Sequence, residues 1–337
     1  MNEQFKIPIV LFTFKRKKIV SIINQIKEVK PSRLYILSDN GRNSKEKKDV
    51  EECRKMIDDA ITWECEVIKN YADDNRGVYE NIGGGARWVL EREKWAIFLE
   101  DDNLPEISFF QFCKELLELY ENKEQVLWIC GTNYLGKYYS PQHESYVFTK
   151  HMLPCGWATW SKKFLKFYDG QLTLCSNKDI VMNVKTEYIN NQLYKQFKEC
   201  WMNEYYRIQT GKKPISWDYQ MDFTIKANKL YGICPCNNQI KNIGVDEFSI
   251  HGGTSFNMIM TRRFCKMDSY PLSFPLKHPY EISTDKKFEK KIGKVILLPR
   301  TSRIKRKISK FIRRILHIPY YSSIKNYVLS KVKNKYE

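Results

Sequence analysis

Three consecutive acids end an apolar segment of this chain. Residues 95–99 read Trp-Ala-Ile-Phe-Leu and lead directly into Glu100, Asp101 and Asp102, and Pro105 follows. The apolar run is typical of a strand covered on both faces, and proline lacks the N–H that would continue a ladder. Adjacent carboxylates repel one another unless a cation or hydrogen-bond donors compensate, and hard divalent cations prefer oxygen ligands. The pattern predicts a metal-binding acidic cluster (Glu100, Asp101 and Asp102) at a strand end; solvated acids are the alternative.

Two further segments carry residues suited to catalysis. Asp218 lies between Trp217 and Tyr219, so partial burial would tune it as a general base. The alternatives are that Asp218 caps a helix, or that Asp222 is the base. His251 stands before two glycines in a loop, where it is suited to approach a metal or a phosphate, although a loop histidine can also be merely solvated.

Two tryptophans and a run of three glycines could mark places where a ligand contacts the protein closely. Trp157 and Trp160 flank small residues in a predicted loop, and exposed indole faces would stack on sugar rings; burial in the core is the alternative. A predicted helix contains Asn81 and then Gly83-Gly84-Gly85. Each glycine costs about 1 kcal/mol relative to Ala in a helix, so either a sugar nucleotide or a tightly packed sheet approaches this backbone.

The elements that must position these residues alternate along the first third of the chain. Strands are predicted at residues 7–14, 34–38 and 65–68, with helices at 19–26 and 44–60. Such alternation predicts a parallel sheet, at whose carboxyl edge Thr13, Asp39 and Asp101 converge. Further on, the patterns predict helices at 109–120 and 186–209 and strands at 126–131 and 230–235.

Composition narrows the class of protein. A chain of 337 residues with 14% aromatic residues is long enough for a sizeable core and suits a globular protein with a cleft. The ten cysteines lack disulfide, zinc or redox spacing, which predicts reduced thiols in a cytosol. No signal peptide is expected, and no apolar run approaches the ~18 residues that a membrane span requires.

The positive charge is concentrated in the last segment. The net charge is +18, and residues 286–337 contain 17 Lys and Arg against two acids. From Ser302, apolar residues recur at steps of three and four among the cations, which predicts a basic amphipathic helix that ends near Pro319. Such helices bind anionic membrane surfaces. A helix packed on the rest of the protein is one alternative, and nucleic-acid binding is a less favoured one because its recognition motifs are missing.

Taken together, these segments resemble GT-A-fold nucleotide-sugar glycosyltransferases of the bacterial family 2 type, related to the N-acetylglucosaminyltransferase I group. The resemblance spans roughly residues 6–254. It is carried by the acidic cluster as a D-x-D-like motif, by 156–160 as an acceptor-side loop, by 217–220, and by 242–244 leading to His251. It implies an α/β, Rossmann-like fold with a mostly parallel central sheet flanked by helices.

The resemblance also implies a role for each matching residue. Thr13, Arg16 and Asp39 would hold the base and ribose. Asn81 would also bind the nucleotide-sugar donor. Glu100 and Asp101 would contact the ribose or donor sugar. Asp102 would ligate Mn²⁺ or Mg²⁺, and His251 would contact the metal or a phosphate. The implied base is Asp218, with Asp222 as its rival, and Gly156, Trp157 and Trp160 would bind the acceptor.

The implied function is an inverting glycosyltransferase that moves a sugar from a nucleoside-diphosphate sugar, UDP-linked by family analogy, to a lipid-linked glycan of a bacterial surface polysaccharide. We expect a catalytic domain at 1–285, with a nucleotide-binding half at about 1–105 and an acceptor half at about 106–260. A membrane-associating tail at 286–337 would hold the protein on the cytoplasmic face of the cell membrane. A metal-dependent nuclease or phosphotransferase and a non-catalytic binding module are the alternatives.

Overall fold

A computed structural model describes residues 4–246 and 253–318, together with Ile324 and Tyr327. The chain forms two compact units, Met1–Ile296 and Leu297–Glu337. This division falls after Ile296, whereas the catalytic domain is predicted to end at residue 285. Among the helices of the described segments, none is both long and apolar enough to cross a membrane.

The first unit is organised around an eight-stranded sheet with the order β3-β2-β1-β4-β8-β6-β9-β7. Six of these strands run in one direction, and β8 and β7 run antiparallel to their neighbours. A separate antiparallel pair joins β5 to β10. The strands are β1 Ile9–Thr13, β2 Arg33–Ser38, β3 Glu66–Tyr71, β4 Trp95–Glu100, β5 Asn103–Pro105, β6 Val126–Cys130, β7 Tyr146–Thr149, β8 Trp157–Trp160, β9 Tyr231–Pro235 and β10 Ile240–Asn242. The predicted α/β architecture with a mostly parallel sheet is confirmed.

Helices connect and flank these strands. They are α1 Ile19–Val29, α2 Ser44–Ala60, α3 Gly85–Leu90, α4 Ile107–Leu119, α5 Ser161–Phe167, α6 Lys178–Asn183, α7 Asn191–Gln209, α8 Asp218–Ala227, α9 Ile259–Cys265, α10 Lys286–Ile296 and, in the second unit, α11 Arg300–Ile315. A π-helix, Tyr79–Gly84, precedes α3. The i, i+3, i+4 spacing that predicts α1 places its isoleucines in the core, and α2 has the predicted bounds.

The segment around Trp157 was expected to be a loop, and this prediction is wrong. Residues 157–160 form β8, which lies in the middle of the sheet between β4 and β6. The Trp157 indole stacks between Phe98 and Trp128, with ring centroids 3.9 and 4.3 Å away. Trp160 donates a hydrogen bond from Nε1 to the Leu117 carbonyl at 2.8 Å. Both indoles are buried because the strand presents each of them to a covered face.

Helix α10 belongs to the first unit because a buried acid anchors it. Glu289 accepts hydrogen bonds from the Thr149 hydroxyl and from the Lys150 backbone N–H, the latter at 3.1 Å. His151 lies 3.4 Å from the same carboxylate. A buried carboxylate needs such partners, so α10 is fixed at the end of β7 rather than extending the tail.

A buried lysine links α5 to the end of α4. Lys163 Nζ donates to the carbonyl oxygens of Tyr120, Lys123 and Val126 at 2.6, 2.9 and 2.8 Å. The three N–H groups of an ammonium match three acceptors, and helix-terminal carbonyls otherwise lack partners. Lys163 therefore holds the α4–β6 connection in place.

We predict that Lys163→Met lowers the free energy of unfolding by about 1–3 kcal/mol, because three carbonyls lose the ammonium as a donor, although those of Tyr120 and Lys123 keep a backbone N–H. Urea unfolding of the purified protein measures this change. Lys162→Met, on the exposed side of the same helix, is the matched control and should stay within about 0.5 kcal/mol of wild type. Equal effects of the two substitutions would contradict this role of Lys163.

Candidate functional site

The acidic cluster lies where the central parallel strands end. Glu100 is the last residue of β4, and Asp101 and Asp102 form the turn into β5. The register pairs Phe12 with Glu100, and Thr13 with Ser38. The ends of β1, β2 and β4 therefore meet at one edge of the sheet, as the sequence predicts.

Arg16 joins Asp101 to Asp246, the last residue of the described segment 4–246. Asp101 accepts hydrogen bonds from Arg16 Nε at 3.2 Å and from the Phe14 backbone N–H at 3.1 Å. Arg16 also donates to Asp246 at 2.5 Å. The structure thus brings the predicted residues Arg16 and Asp101 together and adds Asp246, which sequence reasoning missed.

Asp102 is held by its neighbour Asn103, which is fully buried. The Asn103 amide donates to Asp102 Oδ1 at 2.5 Å and accepts from the Gly156 N–H at 2.7 Å. Pairing of β5 with β10 brings Gly244 so close that a Cβ there would overlap the Asp102 carboxylate. Both faces of Asp102 are therefore defined by backbone and amide groups of the protein.

Burial makes the charge on this cluster costly. Burial raises the pKa of Asp101 to about 6, the positive charge of Arg16 opposes this rise, and burial also raises the pKa of Asp102. The pKa of Glu100 is raised well above its usual range by burial and by the charges of Asp102 and Asp101. The charge of Asp218 raises this pKa further. A bound cation would relieve this repulsion, and the carboxylate donor set suits a hard divalent ion.

The Asp39 carboxylate, by contrast, accepts hydrogen bonds from the loop at residues 75–77. Its carboxylate accepts from the N–H groups of Arg76 at 2.7 Å and Gly77 at 3.0 Å, and from the Asn75 side chain at 3.1 Å. A further bond comes from the Asn40 N–H at 2.8 Å. These contacts shape the loop that enters the π-helix.

The glycines of the π-helix and α3 allow tight packing against the protein itself. A Cβ at Gly83 would overlap the Tyr168 hydroxyl, and a Cβ at Gly85 would overlap the Leu37 side chain. The packing alternative therefore accounts for these two positions. π-helical turns are frequent at functional sites, and this one carries the buried Asn81.

Two buried polar atoms near this edge lack a partner. Within the described residues, neither Thr13 Oγ1 nor Asn81 Oδ1 has a hydrogen-bond partner. Buried polar atoms are normally satisfied, so these two unpaired atoms near the strand ends are available to a polar ligand. Both residues are predicted donor-binding residues.

Asp218 begins α8, and Ser216 orients it. The Ser216 hydroxyl donates to Asp218 Oδ1 at 2.5 Å and accepts from the Tyr219 N–H at 3.1 Å. Ser216 thus provides the helix cap that was considered for Asp218. The buried Glu204 in turn accepts from the Ile215 and Ser216 N–H groups at 2.8 and 3.2 Å.

The rival Asp222 lies in a different environment. It is 2% exposed, forms an ion pair with Lys226, and accepts a hydrogen bond from the Tyr188 hydroxyl at 2.6 Å. This buried pair is the arrangement of a structural carboxylate. The geometry therefore favours Asp218 as the candidate base.

The predicted acceptor residues do not form an exposed platform. Trp157 and Trp160 are 1% and 2% exposed, so the expectation that their indole faces stack on a sugar is wrong. Gly156 has a positive φ of +62°, and a Cβ there would overlap the Ile240 side chain. Trp157 instead stacks on Trp217, with centroids 5.5 Å apart, and supports the segment that carries Asp218.

The second predicted metal contact cannot be placed, because His251 lies outside the described residues. Across 4–246 and 253–318, no group of three or more His, Cys, Asp or Glu side chains is arranged to hold a metal ion. Of the predicted ligands, the described part of the chain therefore contains Asp102.

No protein-family model and no curated protein sequence matches this chain. Among solved structures, HddC from Yersinia pseudotuberculosis is similar over 33% of this chain and 55% of its own, at 10% identity and a TM-score of 0.25. The chain thus spans about half the length of HddC.

Two other similar structures contain nucleotide sugars. One is the mannosyltransferase PcManGT from Pyrobaculum calidifontis in complex with GDP-Man and Mn²⁺, at 8% identity, a TM-score of 0.36, and 67% and 70% coverage of the two chains. The other is a UDP-glucose pyrophosphorylase complexed with UDP-glucose, at 11% identity, a TM-score of 0.33, and 70% and 91% coverage. At these scores the similarities carry no argument about activity or substrate.

We predict that Asn103→Ala lowers the free energy of unfolding by about 1–3 kcal/mol, because the buried Gly156 N–H loses its acceptor and Asp102 its donor. Chemical unfolding measures the change. Asn237→Ala removes a bond to the Pro271 carbonyl from a half-buried amide and is the control, with a smaller expected loss. A larger loss in the control would contradict the central position of Asn103.

Proposed function

We propose that this protein is a metal-dependent glycosyltransferase that uses a nucleoside-diphosphate sugar. The observation that carries the proposal is the half-buried acidic cluster at the end of β4, in which Arg16 and the Phe14 N–H hold Asp101 and Asn103 holds Asp102. A cation beside one set of carboxylates and a carboxylate base opposite it would serve displacement at an anomeric carbon.

The metal contact is assigned to Asp102, with His251 as the proposed second contact. Mn²⁺ or Mg²⁺ bound there would offset the negative charge that develops on the leaving diphosphate. Asn103 holds Oδ1 of Asp102, and Gly244 leaves no room for another side chain against the carboxylate. These two residues fix the orientation of Asp102.

The donor is assigned to the edge formed by β1, β2 and the π-helix. Thr13 Oγ1 and Asn81 Oδ1 are the buried atoms that would be satisfied by ribose or base groups. Arg16 and Asp101, already bonded to each other, would line the same space, with Glu100 towards the sugar. Asp39 acts by holding the 75–77 loop, and a uridine nucleotide is the proposed form of the donor.

Asp218 is assigned as the base. It would take the proton of an acceptor hydroxyl while that oxygen attacks the anomeric carbon and the nucleoside diphosphate leaves. A single displacement of this kind inverts the anomeric centre. Ser216 occupies Oδ1 of Asp218, so we assign the proton to Oδ2.

The second unit contains an exposed amphipathic helix, which favours an acceptor bound to a membrane. Helix α11 exposes Ile304, Ile308, Phe311 and Ile315 by 46, 54, 65 and 58%, among many cations. An amphipathic basic helix of this type binds anionic membrane surfaces. We therefore propose a peripheral enzyme on the cytoplasmic face of the cell membrane, acting on a lipid-linked glycan in surface polysaccharide biosynthesis.

Thermal unfolding with uridine and guanosine diphosphates, with and without Mn²⁺, tests the donor site. A ligand at ~100 times its dissociation constant adds about 2.7 kcal/mol of stability. We expect a metal-dependent rise with one nucleotide that is lost in Asp102→Asn. Asp268→Asn, an exposed acid paired with Lys241, is the control and should retain the rise.

No shift with either nucleotide would contradict the donor site. Salt-sensitive oligonucleotide binding with metal-dependent cleavage would then favour the nuclease alternative.

Sugar-nucleotide turnover tests the base. We expect Asp218→Asn to lower the rate of donor consumption by about 10²–10⁴-fold while nucleotide affinity is kept. Asp179→Asn is the matched control because Asp179 is also an acid in the first turn of a helix, but in α6. An unchanged rate in Asp218→Asn would overturn the assignment, and absence of turnover from any donor in the wild type would favour a binding module.

A further inference from the structure

Large apolar side chains just before and at the start of helix α9 face solvent. Phe256, Met258 and Ile259 are 43, 53 and 41% exposed, and we call these three residues the apolar tip. A Cβ at Gly253 would overlap the Thr261 hydroxyl, so the chain before the tip turns back onto α9. The tip thus lies in the turn that leads into α9.

The inner side of α9 packs towards the candidate site. Thr261 and Cys265 are buried, and Phe264 contacts the Tyr134 ring with centroids 4.8 Å apart. The helix also packs beside β10, the strand that pairs with β5 next to the acidic cluster. The apolar tip therefore belongs to the same unit as the candidate site and lies on the outward side of an element that borders it.

Cations accompany the tip. Arg262 and Lys266 are exposed on the turns that follow it, and residues 253–267 contain no Asp or Glu. Exposed aromatic and aliphatic side chains next to cations are typical of segments that enter the boundary between lipid headgroups and acyl chains. The positive charge complements an anionic lipid surface and fits a cationic or neutral partner less well.

We propose that the apolar tip is a second membrane contact, in the catalytic unit itself, which inserts into an anionic lipid surface beside the candidate site. The inference rests on the proposed function at a membrane and adds a contact that the tail does not provide. Two contacts on one chain bind more tightly than either alone and also fix the orientation of the catalytic unit. The site would then face lipid-linked substrates at the depth of their headgroups.

Hydrogen exchange of the full-length protein tests the proposal. The probes are vesicles of phosphatidylcholine alone and of phosphatidylcholine mixed equally with phosphatidylglycerol. We expect the anionic vesicles to slow exchange in peptides covering 253–266 as well as in peptides of the tail. Slowing confined to the tail would overturn the apolar tip and leave the membrane function standing, whereas no slowing in either region would overturn both.

Vesicle flotation of full-length variants adds a quantitative test. Phe256→Ser combined with Ile259→Ser should weaken binding to the anionic vesicles by about tenfold, because two apolar side chains are lost from the boundary. Ile107→Ser combined with Leu119→Ser is the control, since these α4 side chains are similarly exposed, at 41 and 47%. Equal binding of the two variants to the anionic vesicles would overturn the proposal. Exchange at 253–266 that slows with rising protein concentration in the absence of vesicles would also overturn it, because it would indicate that a second copy of the chain covers the apolar tip.

Discussion

Repulsion among three adjacent half-buried carboxylates is the constraint to which the surrounding structure responds. Glu100 ends the otherwise buried strand β4, and Asp101 and Asp102 form the turn that follows, so solvent screens these half-buried charges only in part. Part of the compensation is built into the protein, because Arg16 and the Phe14 N–H satisfy Asp101 and Asn103 satisfies Asp102. Burial and the neighbouring acids raise the pKa of Glu100 well above its usual range, and a cation bound at Asp102 would offset this repulsion.

The same constraint explains why distant segments meet at the cluster. Arg16 joins Asp101 to Asp246, and the β5–β10 pair lays Gly244 against Asp102. The buried Trp157 of the central sheet stacks on Trp217, the residue before the candidate base Asp218. The candidate metal contact and the candidate base are thus held by separate elements, the turn into β5 and the start of α8.

The sequence predicts those parts of this arrangement that depend on local pattern. The apolar run before Glu100 and the isoleucine spacing of α1 each indicate a correct element, because burial imposes a period on the chain. Thr13, Asp39 and Asp101 converge as expected, since parallel strands share a carboxyl edge.

The parts that depend on contacts distant in sequence were missed. Nothing local marks Asp246 as a partner of Arg16, and Asn103 is marked only by standing after the acids. Trp157 was misread because a four-residue strand after Pro154 and Gly156 resembles a loop, and only its pairing with β4 reveals burial. Nothing local marks the Tyr188 contact of Asp222 either.

The most direct measurement of the central claim is the position of manganese in crystals grown with Mn²⁺ and a nucleoside diphosphate. Anomalous difference density locates the ion without reference to activity. The account predicts one peak at coordination distance, about 2.0–2.6 Å, from a carboxylate oxygen of Asp102. Density only elsewhere, with the acidic cluster empty, would contradict it.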